Sequence, residues 1–347
     1  MSAFPSEIVE LIIDEARSCP STLTACSLVC RQWLPRARYH AFSSIHLEQC
    51  NGVNGDRIAT FIPLLESPLA TFISSVRQVH IFIFVVQASP VGNFLSLLAR
   101  RGVAPKFLAL QCRPGDLVGV SPLTSVTHAR FAMGCFREME PAEFVAITEL
   151  VHGLPSLRSL ALHIPDAPAS RIRSNHLPPS LDELEINYAC VLGTIFSLYA
   201  TPLILPRLIL RHMSQTEWQG VVWYLENAGV LLESLTLLNC APQTVLSLHP
   251  ALRHLTIGDS FRMMPPRILV ALYSPCAANE LETLTLRVPA MIQPLVPRGA
   301  LSGRSEVDAL LSDTVRWPRL RSVILCGGER DRETIDNSLR SLLPGWV

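Results

Sequence analysis

The chain has 347 residues, of which 49% are hydrophobic and 17% charged, and its 29 basic and 29 acidic residues give a formal net charge of zero. This composition excludes a mostly disordered chain, which would be poor in large apolar side chains. The lack of a basic excess argues against a nucleic-acid-binding protein. The densest apolar run, Ile81 to Val86, has six residues, whereas a membrane-spanning helix needs about 20, so we expect no membrane insertion.

Cysteine usage and the first residues indicate the cellular compartment. The ten cysteines are scattered singly, and the first ten residues carry two glutamates and no basic residue. Scattered cysteines in a chain of this length, without a secretory leader, are typical of reduced thiols rather than of a disulfide framework. We therefore expect a soluble intracellular protein of the cytoplasm, the nucleus or both.

Residues 1–42 have helical periodicity. Apolar residues between Ile8 and Ile13 recur at three- and four-residue spacing after Pro5, and Cys19-Pro20 ends the pattern. A second helix is expected to start after Ser21 or Thr22 and run to Trp33, and a short third helix follows. Three short helices bury little surface alone, so this module needs support from the next domain or from a partner.

From residue 43 to residue 347 a leucine pattern recurs. Its fullest form, L-x-x-L-x-L, places leucines at 157, 160 and 162, and the copies before residue 150 are weaker. We call the apolar residues of each copy its anchors. The last anchors of the eleven copies lie at 47, 81, 110, 131, 162, 186, 210, 237, 257, 286 and 325. Ten steps over 278 residues give a mean near 28, which is typical of leucine-rich repeats, although single steps range from 20 to 39.

The repeat predicts an α/β fold. Alternate side chains of a strand face opposite sides, so the last two leucines of each copy point into one core. Right-handed crossovers then give parallel strands inside and helices or irregular returns outside, as in a curved solenoid of about 11 strands. The predicted architecture is a three-helix module at 1–42 followed by this solenoid at 43–347.

Helix start and stop signals lie in several of the segments that connect the predicted strands. One helix is expected from Pro90 to Arg101, and another opens at Pro141 and ends before Gly153. A third has a capping-box spacing at Ser214 and stops at Gly229, and a closing helix is expected at 331–343.

The polar side chains between the anchors are predicted to face the concave side, along which solenoids bind proteins. An ordinary solvated sheet face is the alternative interpretation. The residues predicted to contact a target protein are His163, Glu185, Asn187, Arg207, Arg211, His254 and Arg287.

Sequence signals for catalysis are weak. There is no G-x-S-x-G, G-x-x-x-x-G-K-[ST], G-x-G-x-x-G or H-E-x-x-H sequence in the chain. Cys26 and Cys30 are four residues apart on a predicted helix, but no second pair or nearby histidine completes a zinc site. We expect no catalytic residue, no metal and no cofactor.

Two segments of the N-terminal module match a known pattern. Phe4–Ile8 (FPSEI) and Cys26–Trp33 (CSLVCRQW), followed by Tyr39–Ile45, resemble the F-box, which usually opens with L-P-x-E-[IL] and continues through [CS]-L-V-C-[KR]-x-W. Phe4 in place of leucine is the one departure, and the resemblance covers about residues 3–45. An F-box followed by irregular leucine-rich repeats resembles the large F-box families of mushroom-forming fungi.

The resemblance implies a substrate-recognition adaptor of a cullin–RING (SCF-type) ubiquitin ligase. Its F-box would bind a Skp-type adaptor, and through it a cullin, while the repeats bind an unknown target protein. The implied adaptor-binding residues are Phe4, Pro5, Ile8, Ile12, Leu28, Val29 and Trp33. Two alternatives remain open: an interaction scaffold outside any ligase, and an enzyme whose site carries no familiar pattern.

Overall fold

The computed structural model contains three N-terminal helices followed by strands and further helices. It describes residues 5–49, 57–83, 90–117, 123–132, 141–163, 177–187, 204–212, 224–225, 227, 231–238, 251–258, 280–287 and 317–326. The chain forms two compact units, Met1–Leu160 with His176–Ser180, and Ala161–Asn175 with Leu181–Val347.

The first unit begins with three helices, α1 (Ser6–Glu15), α2 (Pro20–Val29) and α3 (Leu34–Ala41). Their shared core consists of the buried residues Val9, Ile13, Leu23, Cys26 and Ala37, with Ala16 and Trp33 packed against it. The number of helices agrees with the prediction. The second helix differs from it, since α2 starts at Pro20 rather than after Ser21 and ends at Val29 rather than at Trp33. Proline fits the first helical position because its missing N–H has no intrahelical acceptor there.

A charged cluster joins α1 to α3. Asp14 accepts two hydrogen bonds of 2.6 Å from Arg36, one from Nε and one from Nη2, and His40 Nε2 lies 2.7 Å from Asp14 Oδ1. These contacts hold the pKa of Asp14 well below its usual value, the hydrogen bond from Arg36 being the largest cause. The charged form of Asp14 is therefore the one that the folded module favours.

The rest of the first unit alternates strands with helices. Its strands are β1 (Ser44–Gln49), β2 (Gln78–Ile83), β3 (Phe107–Gln111), β4 (His128–Ala132) and the start of β5 (Ser159–His163). Its further helices are α4 (Arg57–Glu66), α5 (Val91–Arg100) and α6 (Pro141–His152). Strands β1 to β4 pair in chain order, all parallel, and the N–H groups of Arg158 and Ser159 donate to the Thr127 carbonyl at the start of β5.

The second unit contains the end of β5 and six further strands. These are β6 (Glu183–Asn187), β7 (Arg207–Arg211), β8 (Ser234–Leu238), β9 (His254–Gly258), β10 (Thr283–Arg287) and β11 (Ser322–Cys326). From β6 to β11 each strand pairs in parallel with the next. Adding strands in chain order at one edge is the arrangement expected of a repeat array.

The predicted leucine anchors explain the position of every strand that the structure describes. Each of the eleven predicted last anchors is the fourth residue of an observed strand, and the register places anchor beside anchor, as in Leu210 beside Leu237. The anchors of β6 to β10 are buried, while Leu320 and Val323, before and within β11, are half-buried. The strand repeat predicted from the sequence is confirmed, and the curvature of the solenoid stays a prediction.

Two of the predicted helices are also confirmed. Helix α5 occupies Val91–Arg100, inside the predicted Pro90 to Arg101, and Gly102 follows it with a φ of +70° that favours glycine. Helix α6 begins at Pro141 and ends one residue before Gly153. The helix predicted from Ser214 to Gly229 is described only at Tyr224, Leu225 and Asn227, which are helical, and the closing helix at 331–343 lies outside the described residues. Within the described ranges, no helix is long and apolar enough to cross a membrane.

The boundary at residue 42 stays a prediction. Residues on both sides of it belong to the first compact unit. Directly after this boundary, the Ser43 carbonyl accepts hydrogen bonds from the N–H groups of Arg77 and Gln78. The turn after α3 is therefore tied to the start of β2.

The anchors should dominate the stability of the second unit. Leu208 of β7 is completely buried, whereas its neighbour Ile209 is half-buried on the opposite face. We expect Leu208→Ala to lower the free energy of unfolding by roughly 2–5 kcal/mol because it removes transfer energy and leaves a cavity. Ile209→Ala should cost about 1 kcal/mol or less. Urea denaturation of both variants measures the difference, and equal losses would contradict an anchored core.

Candidate functional site

Helices α1 and α2 present large apolar side chains to solvent. Ile8, Leu11, Ile12, Leu28 and Val29 are between 43% and 81% exposed. We call these five residues the exposed apolar residues of α1 and α2. Such side chains on a small helical module are typical of a surface that a partner covers.

The sequence of α1 explains this exposure. Val9 and Ile13 face the shared core and are buried, whereas Ile8 and Ile12 occupy the outer face at a spacing of four residues. A helix that is apolar on both faces can satisfy only one of them with its own core. Leu11 is 60% exposed and belongs to the same outer face. It was not among the predicted adaptor-binding residues, although its spacing of three from Ile8 was the signal for it.

The other predicted adaptor-binding residues fall into three environments. Pro5 is exposed at the start of α1. Trp33 is half-buried and packs against the core of the module, so only part of its ring is open to a partner. Phe4 lies outside the described residues.

An exposed thiol lies at the start of α2. Cys19 precedes the first residue of the helix, the Ser21 hydroxyl lies 3.3 Å from its sulfur, and the Thr22 hydroxyl donates to the sulfur at 3.0 Å. These contacts, that of Ser21 first, lower the pKa of Cys19 from 9.0 to about 7. A larger thiolate fraction at neutral pH makes a cysteine more reactive.

The reactivity of Cys19 is therefore testable. We expect its alkylation by iodoacetamide, followed at this residue by mass spectrometry, to reach half its maximal rate near pH 7. Ser21→Ala should move this midpoint upward, since it removes the main hydroxyl contact. The matched control is Ser27→Ala, whose hydroxyl donates to the Thr24 carbonyl in the same helix. A midpoint unchanged by Ser21→Ala would contradict this explanation.

The predicted target-binding residues lie in the second unit, on the sheet face opposite the leucine anchors. The register aligns them in rows across the strands. Glu183 pairs with Arg207 in the first row, and Asn187 pairs with Arg211 in the last row. Arg287 on β10 lies in the same last row, beyond Leu238 and Gly258.

Glu185 is the centre of a charged cluster on this face. Arg211 Nε donates to Glu185 Oε1 at 2.6 Å, and His163 Nε2 lies 3.3 Å from the same oxygen. The Glu185 side chain is 12% exposed, and it is the one buried carboxylate among the residues that the structure describes. The hydrogen bond with His163 is the largest cause that lowers the pKa of Glu185, to about 2, and the Arg211 charge adds to it.

The remaining predicted residues are not brought into this cluster. Arg207 Nη1 lies 3.5 Å from Glu183 Oε2 at a more exposed position. His254 and Arg287 are exposed on β9 and β10, which lie two and three strands from β7, or about 10 and 14 Å. Asn187 is half-buried beside Arg211, and its Oδ1 atom is buried without a hydrogen-bond partner among the described residues.

Gly258 keeps the last row closely packed. A Cβ atom at this position would lie 2.6 Å from Leu238 Cδ2 and 3.0 Å from Arg287 Cβ. Any larger residue would therefore push Leu238 or Arg287 away. Leu238 and Gly258 are both buried and lie between Arg211 and Arg287 in this row.

The charged cluster gives a stability prediction with a matched control. Glu185→Gln should lower the free energy of unfolding by roughly 1–3 kcal/mol, because it removes a charge-assisted hydrogen bond from a buried site. Glu183→Gln, on the same strand with a 27% exposed side chain and a longer ion pair, should cost less than about 1 kcal/mol. Urea denaturation at pH 7 compares the two.

The same cluster predicts a dependence on pH. The folded pKa of Glu185 is lowered from 4.5 to about 2, so its contribution is complete above pH 4.5 and is lost as the pH falls towards 2. The stability difference between the unchanged protein and Glu185→Gln should therefore shrink across this window. A difference that is constant with pH would show that the carboxylate charge is not its source.

No metal centre is found among the described residues. No group of three or more histidine, cysteine, aspartate or glutamate side chains in these ranges could hold a metal ion. Cys26, one of the pair considered in the sequence, is buried in the module core, and Cys30 is exposed.

Comparisons with known proteins add little. No protein-family model and no curated protein matches the chain. Among solved structures the chain is similar to human 5T4 (Wnt-activated inhibitory factor 1, trophoblast glycoprotein), with 21% identity over 65% of this chain and 70% of that chain and a TM-score of 0.28. A TM-score of 0.28 does not establish a shared fold. The leucine-rich-repeat architecture is therefore inferred from the strands and their anchors alone.

Proposed function

We propose that this chain is a substrate-recognition adaptor of an SCF-type cullin–RING ubiquitin ligase. In this role α1 to α3 bind a Skp-type adaptor and the repeats hold a target protein. The observation that carries the proposal is the coincidence of two features on the same helices: residues that resemble an F-box, and the exposed apolar residues of α1 and α2.

The exposed apolar residues supply enough surface for a stable partner. Burying a large aliphatic side chain completely contributes about 1.5–3 kcal/mol. Five such side chains, each already partly covered, still contribute several kcal/mol when a partner excludes water from them. The three helices have their own small core, so this outer surface is not needed to fold them together.

The repeat array supports the second half of the proposal. Stacked strands present a continuous row of side chains, and proteins built this way bind other proteins along that row. The charged cluster around Glu185 and the exposed Arg207, His254 and Arg287 give this face guanidinium groups and an imidazole for recognition of a target. Catalysis then belongs to the subunits that the chain recruits, and the chain itself contributes binding.

Capture of a Skp-type adaptor tests the proposal. Leu28 is 81% exposed, so Leu28→Asp should leave folding intact and weaken binding of the purified adaptor at least tenfold, because a carboxylate must lose its water at the interface. Ile8→Asp on α1 should do the same. The control is Leu69→Asp, which changes a side chain 84% exposed outside the three helices and should bind like the unchanged protein.

Two outcomes would contradict the proposal. The first is an unchanged protein that fails to capture the adaptor while its circular dichroism shows a folded chain. The second is capture that Leu28→Asp and Ile8→Asp leave as strong as Leu69→Asp does. A chain that captures other proteins but no Skp-type adaptor would be an interaction scaffold outside a ligase.

A further inference from the structure

Strands β8 to β11 of the second unit carry an array of hydroxyl groups on the sheet face opposite their anchors. The third residues of the strands form the middle row of this face, in which Thr236, Thr256 and Thr285 lie side by side. Serine or threonine also occupies the first row on three of the four strands. We call six half-buried residues the hydroxyl array: Ser234, Thr236, Thr256, Thr283, Thr285 and Ser322.

The hydroxyl groups of the array are free to bind a partner. None of the six side-chain hydroxyls has a hydrogen-bond partner in the part of the chain that the structure describes. Neighbouring strands lie about 4.8 Å apart, so the row from Thr236 to Thr285 is about 10 Å long. A hydroxyl both donates and accepts hydrogen bonds, and so does the side-chain amide of asparagine or glutamine. The threonine row therefore matches amide side chains.

One guanidinium group stands beside the array. Arg287 is exposed at the end of β10, two residues after Thr285, and it forms no ion pair with any residue that the structure describes. His254 is exposed in the first row, between Ser234 and Thr283. The first, third and fifth residues of β8 to β11 include no aspartate and no glutamate. A carboxylate that approaches Arg287 therefore meets no acid on this face.

The other charges around the array balance one another. The residues directly before the four strands are two acids and two bases: Glu233, Arg253, Glu282 and Arg321. Arg253 Nη1 lies 4.0 Å from Glu282 Oε1. On β7, the strand next to β8, both guanidinium groups are already paired with carboxylates of β6. On the described face of β6 to β11, Arg287 is thus the one guanidinium group without an ion pair.

We propose that the hydroxyl array binds a polar segment of the target protein that carries a single charge. One aspartate or glutamate of this segment pairs with Arg287, and asparagine or glutamine side chains beside it bind the threonine row. A carboxylate is the natural partner of a guanidinium group. Any further charge in the segment would lose water without meeting an opposite charge on this face, which is unfavourable.

The inference rests on the proposed function in treating this segment as part of the target protein, and it names the chemistry of that segment. It moves the main recognition surface from the paired arginines of β7 to β8, β9 and β10.

The test uses the full chain and a library of random dodecapeptides displayed on phage. The library is first depleted on the double variant Arg287→Gln/Thr256→Val, and the remaining peptides are selected on the unchanged protein. This order removes peptides that bind the exposed apolar residues of α1 and α2, because both proteins carry them. We expect the selected peptides to share one aspartate or glutamate, to be enriched in asparagine and glutamine, and to lack lysine and arginine.

Single variants locate the segment. The most enriched peptide is synthesised with acetylated and amidated ends, and its affinity is measured by fluorescence anisotropy. Arg287→Gln and Thr256→Val should each weaken binding at least fivefold. Valine keeps the β-branched shape of threonine, so Thr256→Val removes the hydroxyl alone. The matched controls are Arg77→Gln and Thr71→Val, which change exposed residues of the first unit and should bind like the unchanged protein.

Replacing the acid of the peptide by its amide should also weaken binding at least fivefold, and this arm decides the question if a protein variant unfolds. The proposal is overturned if no peptide is enriched, if the enriched peptides are basic or carry several acids, or if Arg287→Gln and Thr256→Val bind like the controls. No adaptor is present in any arm, so this result is independent of adaptor capture.

Discussion

The alternation of side chains along each strand is the constraint on which the rest of the structure depends. Because the second and fourth residues of strands β1 to β10 are buried in the core, the first, third and fifth residues are left for the opposite face. Parallel pairing in chain order then converts these residues into rows across the strands. The charged cluster around Glu185 is a product of this arrangement.

The N-terminal helices follow a different rule. An α-helix of ten residues has room for a buried stripe, and Val9 and Ile13 fill it in α1, so further apolar residues must face outward. The exposed apolar residues of α1 and α2 are unfavourable in isolation and become favourable when a partner covers them. The chain thus combines a helical surface that a partner can cover with strand faces that carry charged and aromatic groups.

The strands could be predicted from the sequence because burial of three apolar residues at fixed spacing leaves few alternatives. Helix α4 was not predicted, since Pro63 inside it is normally a helix-breaking signal. The residues around Glu185 were predicted to share a face, but their pairing was not. That pairing depends on which long side chain of a neighbouring strand reaches the carboxylate. The stacking of His46 on His80 in the first unit was not predicted, because the early repeats have weak anchors and the stacking requires a known register.

Hydrogen–deuterium exchange of the full chain, with and without a purified Skp-type adaptor, shows whether α1 and α2 form the partner surface. We expect slower exchange in peptides from α1 and α2 and unchanged exchange in the strands of the second unit, because the adaptor would cover only the outer helical surface. Protection confined to the strands, or no protection anywhere at saturating adaptor, would contradict it.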